Sequence, residues 1–265
     1  MNRYIKARKA YKQKDTAEAK AAHTKEAIQQ SIQHSEEAHG VGQYIGPAVY
    51  GASDGIVTTF AVVSGVVGAS LSPGIILILG FANLLADGFS MATGSYISKK
   101  SERDYVKEEY ERELWETKQF PEEEKLEIRE IYKKKGFTGK DLDRAVEIIT
   151  SDTHRWVETM VTEELGLKME DIDPLKSSLV TFGAFVAAGF MPLFTYVLSY
   201  AYPSLLHNAF TISILITGST LFFVGSLRTL IIGKKWYWNG FEMLLIGGSA
   251  SAVAYAVGYF LQTLA

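Results

Sequence analysis

Apolar residues gather into five stretches along the chain, at 44–69, 74–97, 175–198, 208–232 and 241–264, with polar segments between them. Each stretch is rich in Gly, Ala and Ser among Ile, Leu, Val and Phe. Each is also long enough to cross a hydrocarbon core of ~30 Å, which takes about 20 helical residues at ~1.5 Å rise. Five such helices leave too little polar surface to cover a soluble core, so the pattern predicts five transmembrane spans. The expected fold class is all-α, a five-span transmembrane helical bundle with a helical insert between spans 2 and 3. The expected domains are a helical arm over 1–43, spans 1–2 over 44–98, the insert over 99–173 and spans 3–5 over 174–265.

Composition sharpens this picture only when it is taken by region. Over all 265 residues a net charge of −3 and a mean hydropathy of +0.04 resemble those of a soluble protein. Yet 22 of the 30 acidic residues lie in 99–173, with only Asp54 and Asp87 in 45–98 and one acid in 174–265. Basic residues follow the same split, with 15 in the insert and none in 45–98, so the insert is more acidic than basic by 7. The absence of cysteine excludes disulfides, thiolate zinc sites and iron–sulfur clusters. Any metal must then be held by oxygen, imidazole or thioether.

Lys and Arg in short connections bias a loop toward the cytoplasm. The connections at 69–73 and 199–207 carry none, whereas the arm, the insert and the Arg228, Lys234, Lys235 cluster are basic. The expected topology therefore has a cytoplasmic N-terminus and a cytoplasmic insert, with Trp236, Tyr237 and Trp238 in an aromatic belt at the inner interface. No cleavable signal peptide is expected, since residues 1–40 lack an apolar core of the needed length. The arm reads as one solvated helix from about residue 3 to 37. Its Glu36-x-x-His39 has the carboxylate–imidazole spacing of di-iron bundles but lacks the second copy such a site requires.

Within the insert, residues 101–117 are helical in composition, Pro121 starts a second helix, Gly136 closes it, and 138–165 supplies one or two more. Glu109, Glu113 and Glu116 recur on one helical face, Glu123 or Glu124 with Glu127 and Glu130 form a second row, and Met160 stands four residues before Glu164. Facing rows would make an acidic cleft suited to a labile divalent ion. Alternatively, the same residues form a solvated face neutralised by neighbours such as Arg112 and Arg129.

Two carboxylates are placed inside the spans, where ionisable groups face a partner, a cavity or a pathway. Asp54 is surrounded by Gly51, Ser53, Gly55, Thr58 and Thr59, and Asn83, Asp87 and Met91 form a polar stripe at i, i+4, i+8. Pro192 is expected to kink the third span. No His–carboxylate cluster or nucleophile–base pair points to an enzyme, and no nucleic-acid partner is expected.

The combination of Ser53-Asp54-Gly55, a second span ending SMATGSYISKKSE, a Glu-rich insert starting directly from it, EELGL at 163–167 and GFMPL in the third span resembles the vacuolar iron transporter family. The resemblance covers about residues 44–265. It implies a proton-coupled, homodimeric exporter of cytosolic Fe²⁺, often also of Mn²⁺, with no cofactor besides the transported ion. The membrane would be vacuolar in a eukaryote and the plasma membrane in a prokaryote. It further implies that the insert is a three-helix metal-binding domain. Asp54 and Met91 match intramembrane path residues, Glu113, Glu116, Glu124, Glu127 and Glu164 match the insert's glutamates, and Met160 matches its methionine. Asn83 stands where plant members carry glutamate, with Asp87 one turn later, and Val161 replaces a second methionine. The alternative reading is a membrane-anchored divalent-metal binding or sensing protein without flux.

Overall fold

The computed structural model describes residues 7, 9–11, 13–33, 42–169, 172–229 and 235–264. Among these, the regular elements are all helical. We label the α-helices α1 (Thr16–Ala21), α2 (Lys25–Gln33), α3 (Ile45–Gly68), α4 (Pro73–Gln119), α5 (Pro121–Lys134), α6 (Gly139–Thr150), α7 (Thr153–Thr159), α8 (Pro174–Gly189), α9 (Met191–Ala201), α10 (Ala209–Leu227) and α11 (Trp236–Leu261). A π-helical turn, Met160–Glu164, follows α7, and a 3₁₀ turn, Pro203–Asn208, precedes α10.

The arm is not one helix. Lys14 takes a left-handed φ of 56°, and Asp15 caps α1 by accepting hydrogen bonds from the backbone N–H groups of Ala17 and Glu18. Thr24 Oγ1 likewise accepts from Ala27 N at 3.3 Å at the start of α2. These local caps divide the segment because it has few large apolar side chains to bury along a continuous face. Glu36 and His39 lie outside the described residues, as does Lys234.

Four helical stretches are long and apolar enough to cross a membrane, and the count reaches five if the bent pair α8–α9 is one span. That pair bends by 50° next to Pro192, which enters the first turn of α9 where its missing N–H leaves no hydrogen bond broken. Only 11 % of the apolar window of α11 is buried within the chain, so its outward surface is hydrocarbon-compatible, with Phe260 at 77 % exposure.

The chain divides into two compact units, one formed by residues 1–91 with 179–265 and the other by residues 92–178. In the first, α3 packs against α9, α10 and α11. Its main core gathers Phe60, Val63, Ile76, Leu84, Phe185, Leu193 and Tyr196. Gly51 and Gly55 let the backbone of α3 meet that of α8 at Thr181 and Phe185, and Gly68 does the same with Tyr255 on α11.

The second unit is charged and has its own small core of Ile128, Leu142, Val146, Trp156 and Met160. Pro121 starts α5, and Gly136, at φ 96°, turns the chain out of it. The second apolar stretch and the following charged segment, expected as separate helices, form the single 47-residue α4. No Gly or Pro falls between Gly94 and Pro121 to interrupt it.

Candidate functional site

In the charged unit, three elements bring carboxylates together. Glu113 and Glu116 stand on α4, Glu124 and Glu127 on α5, and Glu164 ends the π turn. Ligand oxygens of Glu113, Glu116 and Glu124 lie within 4.8 Å of one another. Glu113 and Glu124 are only 1 % and 5 % exposed, and each has an Oε2 that is buried without a hydrogen-bond partner. Leaving such atoms unsatisfied is costly, and a bound cation would relieve the cost.

The electrostatics follow from that burial. Desolvation pushes Glu113 up to about 7 against the lowering effect of Arg112, with Glu164, Glu116 and Glu127 adding repulsion. Desolvation likewise raises Glu124 to about 7, followed by repulsion from Glu127 and Glu113. Burial also raises Glu164, which is further influenced by the charge of Glu127 and a hydrogen bond to it. A group of carboxylate oxygens suits a hard or borderline divalent ion.

The π turn adds a residue to the last helical turn, and Leu165 N bonds Met160 O at 3.2 Å across it. Gly166 then adopts φ 67°, which allows the chain to turn away. Met160 itself is fully buried in the apolar cluster around Ile128 and Trp156. Glu109 belongs to an ion-pair network through Arg112 and stands outside the Glu113–Glu116–Glu124 group. Glu130 pairs with Lys133 at 3.1 Å, while Glu123 is exposed.

In the apolar unit, Asp54 on α3 and Asp87 on α4 are both half-buried, and their charges interact. Among the described residues no ion pair joins either to a basic residue. Thr58 Oγ1 donates to the Asp54 backbone carbonyl at 2.8 Å, which spends a local donor on the main chain and not on the carboxylate. Asn83 is half-buried one turn before Asp87, with its Nδ2 buried and unbonded, and Met91 packs against the core that contains Phe185. Gly88, next to Asp87, accommodates the Phe182 and Phe185 rings.

A third carboxylate, Glu242, not expected inside a span, lies in the second turn of α11 and approaches Arg228 Nη1 at 3.7 Å. Its signal was plain: it is the sole acid after Asp173. Close by in the chain, Asn239 is buried and donates from Nδ2 to Thr229 Oγ1 at 2.9 Å.

Comparison with known proteins adds an independent line. The profile described as the VIT family matches residues 45–259. A vacuolar iron transporter of Toxoplasma gondii is 37 % identical over 97 % of this chain and 88 % of its own. One of Plasmodium falciparum is 34 % identical over 97 % and 96 %, and vacuolar iron transporter 1 of Arabidopsis thaliana is 32 % identical over 86 % and 90 %.

Proposed function

Because the chain belongs to the VIT family, we propose that it carries Fe²⁺, and Mn²⁺ as a second cargo, out of the cytosol across a membrane in exchange for protons. It is a multi-pass integral membrane protein and a metal transporter, not an enzyme. The finer reading has five spans, a cytoplasmic N-terminus, a cytoplasmic charged unit and two copies per transporter.

The observation that carries this reading is the Asp54–Asp87 pair, two half-buried carboxylates on apolar helices with no ion pair to a basic residue among the described residues. Intramembrane carboxylates of this kind mark ion or proton paths. A divalent ion between them would favour their ionised forms, and protons arriving from the far side would favour its release. Met91 and Asn83 supply softer and neutral donors along the same stripe.

The charged unit collects ions upstream of that step. The excess of 7 acidic residues over 99–173 attracts cations, and Glu113, Glu116, Glu124, Glu127 and Glu164, with the Met160 thioether, provide the capture site. Purified protein in liposomes containing a pH dye tests the reading. Uptake of Fe²⁺ or Mn²⁺ into the liposomes with protons leaving in exchange, read by the dye as a rise in internal pH, is expected. Saturable binding without flux would instead indicate a membrane-anchored sensor.

A further inference from the structure

Arg112 sits in the middle of the acidic site. Its Nη2 lies 2.7 Å from Glu113 Oε1 and 2.8 Å from Glu109 Oε2, its Nη1 lies 2.6 Å from Glu116 Oε2, and its Nε donates to Glu109 at 2.9 Å. One guanidinium thus occupies an oxygen on two of the three carboxylates whose oxygens converge, while the buried Oε2 atoms of Glu113 and Glu124 stay unbonded. The site is half-filled by a side chain that carries half the charge a divalent metal would bring.

We propose that Arg112 is a built-in competitor for the divalent ion: it holds Glu113 and Glu116 until the ion arrives, falls back on Glu109 alone, and returns as the ion leaves. This rests on the reading of the glutamate cluster as the capture site. The geometry separates the two roles of the guanidinium. Nε holds Glu109 alone, Nη2 is shared between Glu109 and Glu113, and Nη1 reaches Glu116, so the Nε contact with Glu109 survives a swing that frees the other two carboxylates.

The physical chemistry favours exchange over permanent pairing. Arg112 is 44 % exposed on its side chain, so water can take over the contacts it releases, and the cost of exchange falls on the buried Glu113 carboxylate, which the incoming ion pairs in its place. A doubly charged ion recovers more from buried carboxylates than a spread single charge does. The competitor keeps affinity moderate, which a transporter needs because ions held too tightly do not move on. Glu109 is thereby a parking acceptor for Arg112 and not a ligand to the ion.

Titration of the purified full-length protein with Mn²⁺ alone, followed by calorimetry, tests this. Arg112→Gln is expected to bind Mn²⁺ about tenfold more tightly, the effect of deleting one partly exposed competing charge. Arg112→Lys, which keeps the charge but not the fork, is expected to fall between the two and guards against a folding artefact. Glu109→Gln in the parent is expected to weaken binding several-fold, yet to change nothing when added to Arg112→Gln. Equal or weaker binding by Arg112→Gln overturns the competitor role while leaving the capture site standing. A further loss from Glu109→Gln in the Arg112→Gln background overturns the parking role. Absence of saturable Mn²⁺ binding by the parent protein removes the capture site and the inference with it.

Discussion

Glu113 of α4 and Glu124 of α5 bring carboxylate oxygens within 4.8 Å of each other, and each keeps its Oε2 buried and without a partner. Two like charges in that arrangement destabilise the ion-free fold. They also create the attraction a divalent cation would satisfy.

Stability of the metal-free protein should therefore fall as pH rises. Both acids are held at about 7 against an ordinary 4.5. Between those values the folded protein binds protons that the unfolded chain has already released, so folding is favoured at the acid end and loses that advantage as pH climbs through about 7. Thermal unfolding of the purified protein between about pH 5 and 8 should show a declining midpoint without metal. Mn²⁺ should restore it, most strongly at the alkaline end. A midpoint that rises with pH in the absence of metal would contradict the assignment.

Replacing one of the buried carboxylates separates binding from folding. Glu124→Gln keeps the shape and removes the charge, so at pH above 7 the metal-free protein should gain stability on the order of 1–3 kcal/mol, the scale of an unsatisfied buried polar group. Mn²⁺ affinity should drop by roughly tenfold or more, as expected when a metal site loses a well-placed group. Calorimetry and thermal melts read both quantities. Unchanged affinity would leave these glutamates with no part in metal binding.

Close approach of α3 and α8 makes a prediction independent of metal. A Cβ at Gly55 would collide with the backbone carbonyl of Phe185, whereas one at Gly46 meets nothing within 4 Å. Gly55→Val should cost about 1–3 kcal/mol or prevent folding altogether. Gly46→Ala should leave the melting temperature unchanged. Size-exclusion profiles and melts in detergent distinguish them.

Positions of the apolar helices were legible because hydropathy and length report directly on the solvent a helix can tolerate. Continuity of α4 was hidden because composition changes abruptly near Lys99 while helix propensity does not. The acidic rows were visible as spacing along single helices, but their convergence depends on the turn at Phe120–Pro121 and on the π turn that ends at Glu164, which periodicity does not reveal. Arg112 was legible only as an i, i+4 partner of Glu116, and its simultaneous hold on Glu109 and Glu113 needed side-chain geometry. The break at Asp15 shows a local cap prevailing over a weakly amphipathic run.

Transport past Asp54 is the central claim, and Asp54→Asn in proteoliposomes tests it most directly. Metal flux should fall to the level of empty vesicles, while helicity and Mn²⁺ binding by the charged unit stay as in the parent. Undiminished flux that still follows the proton gradient would contradict the account.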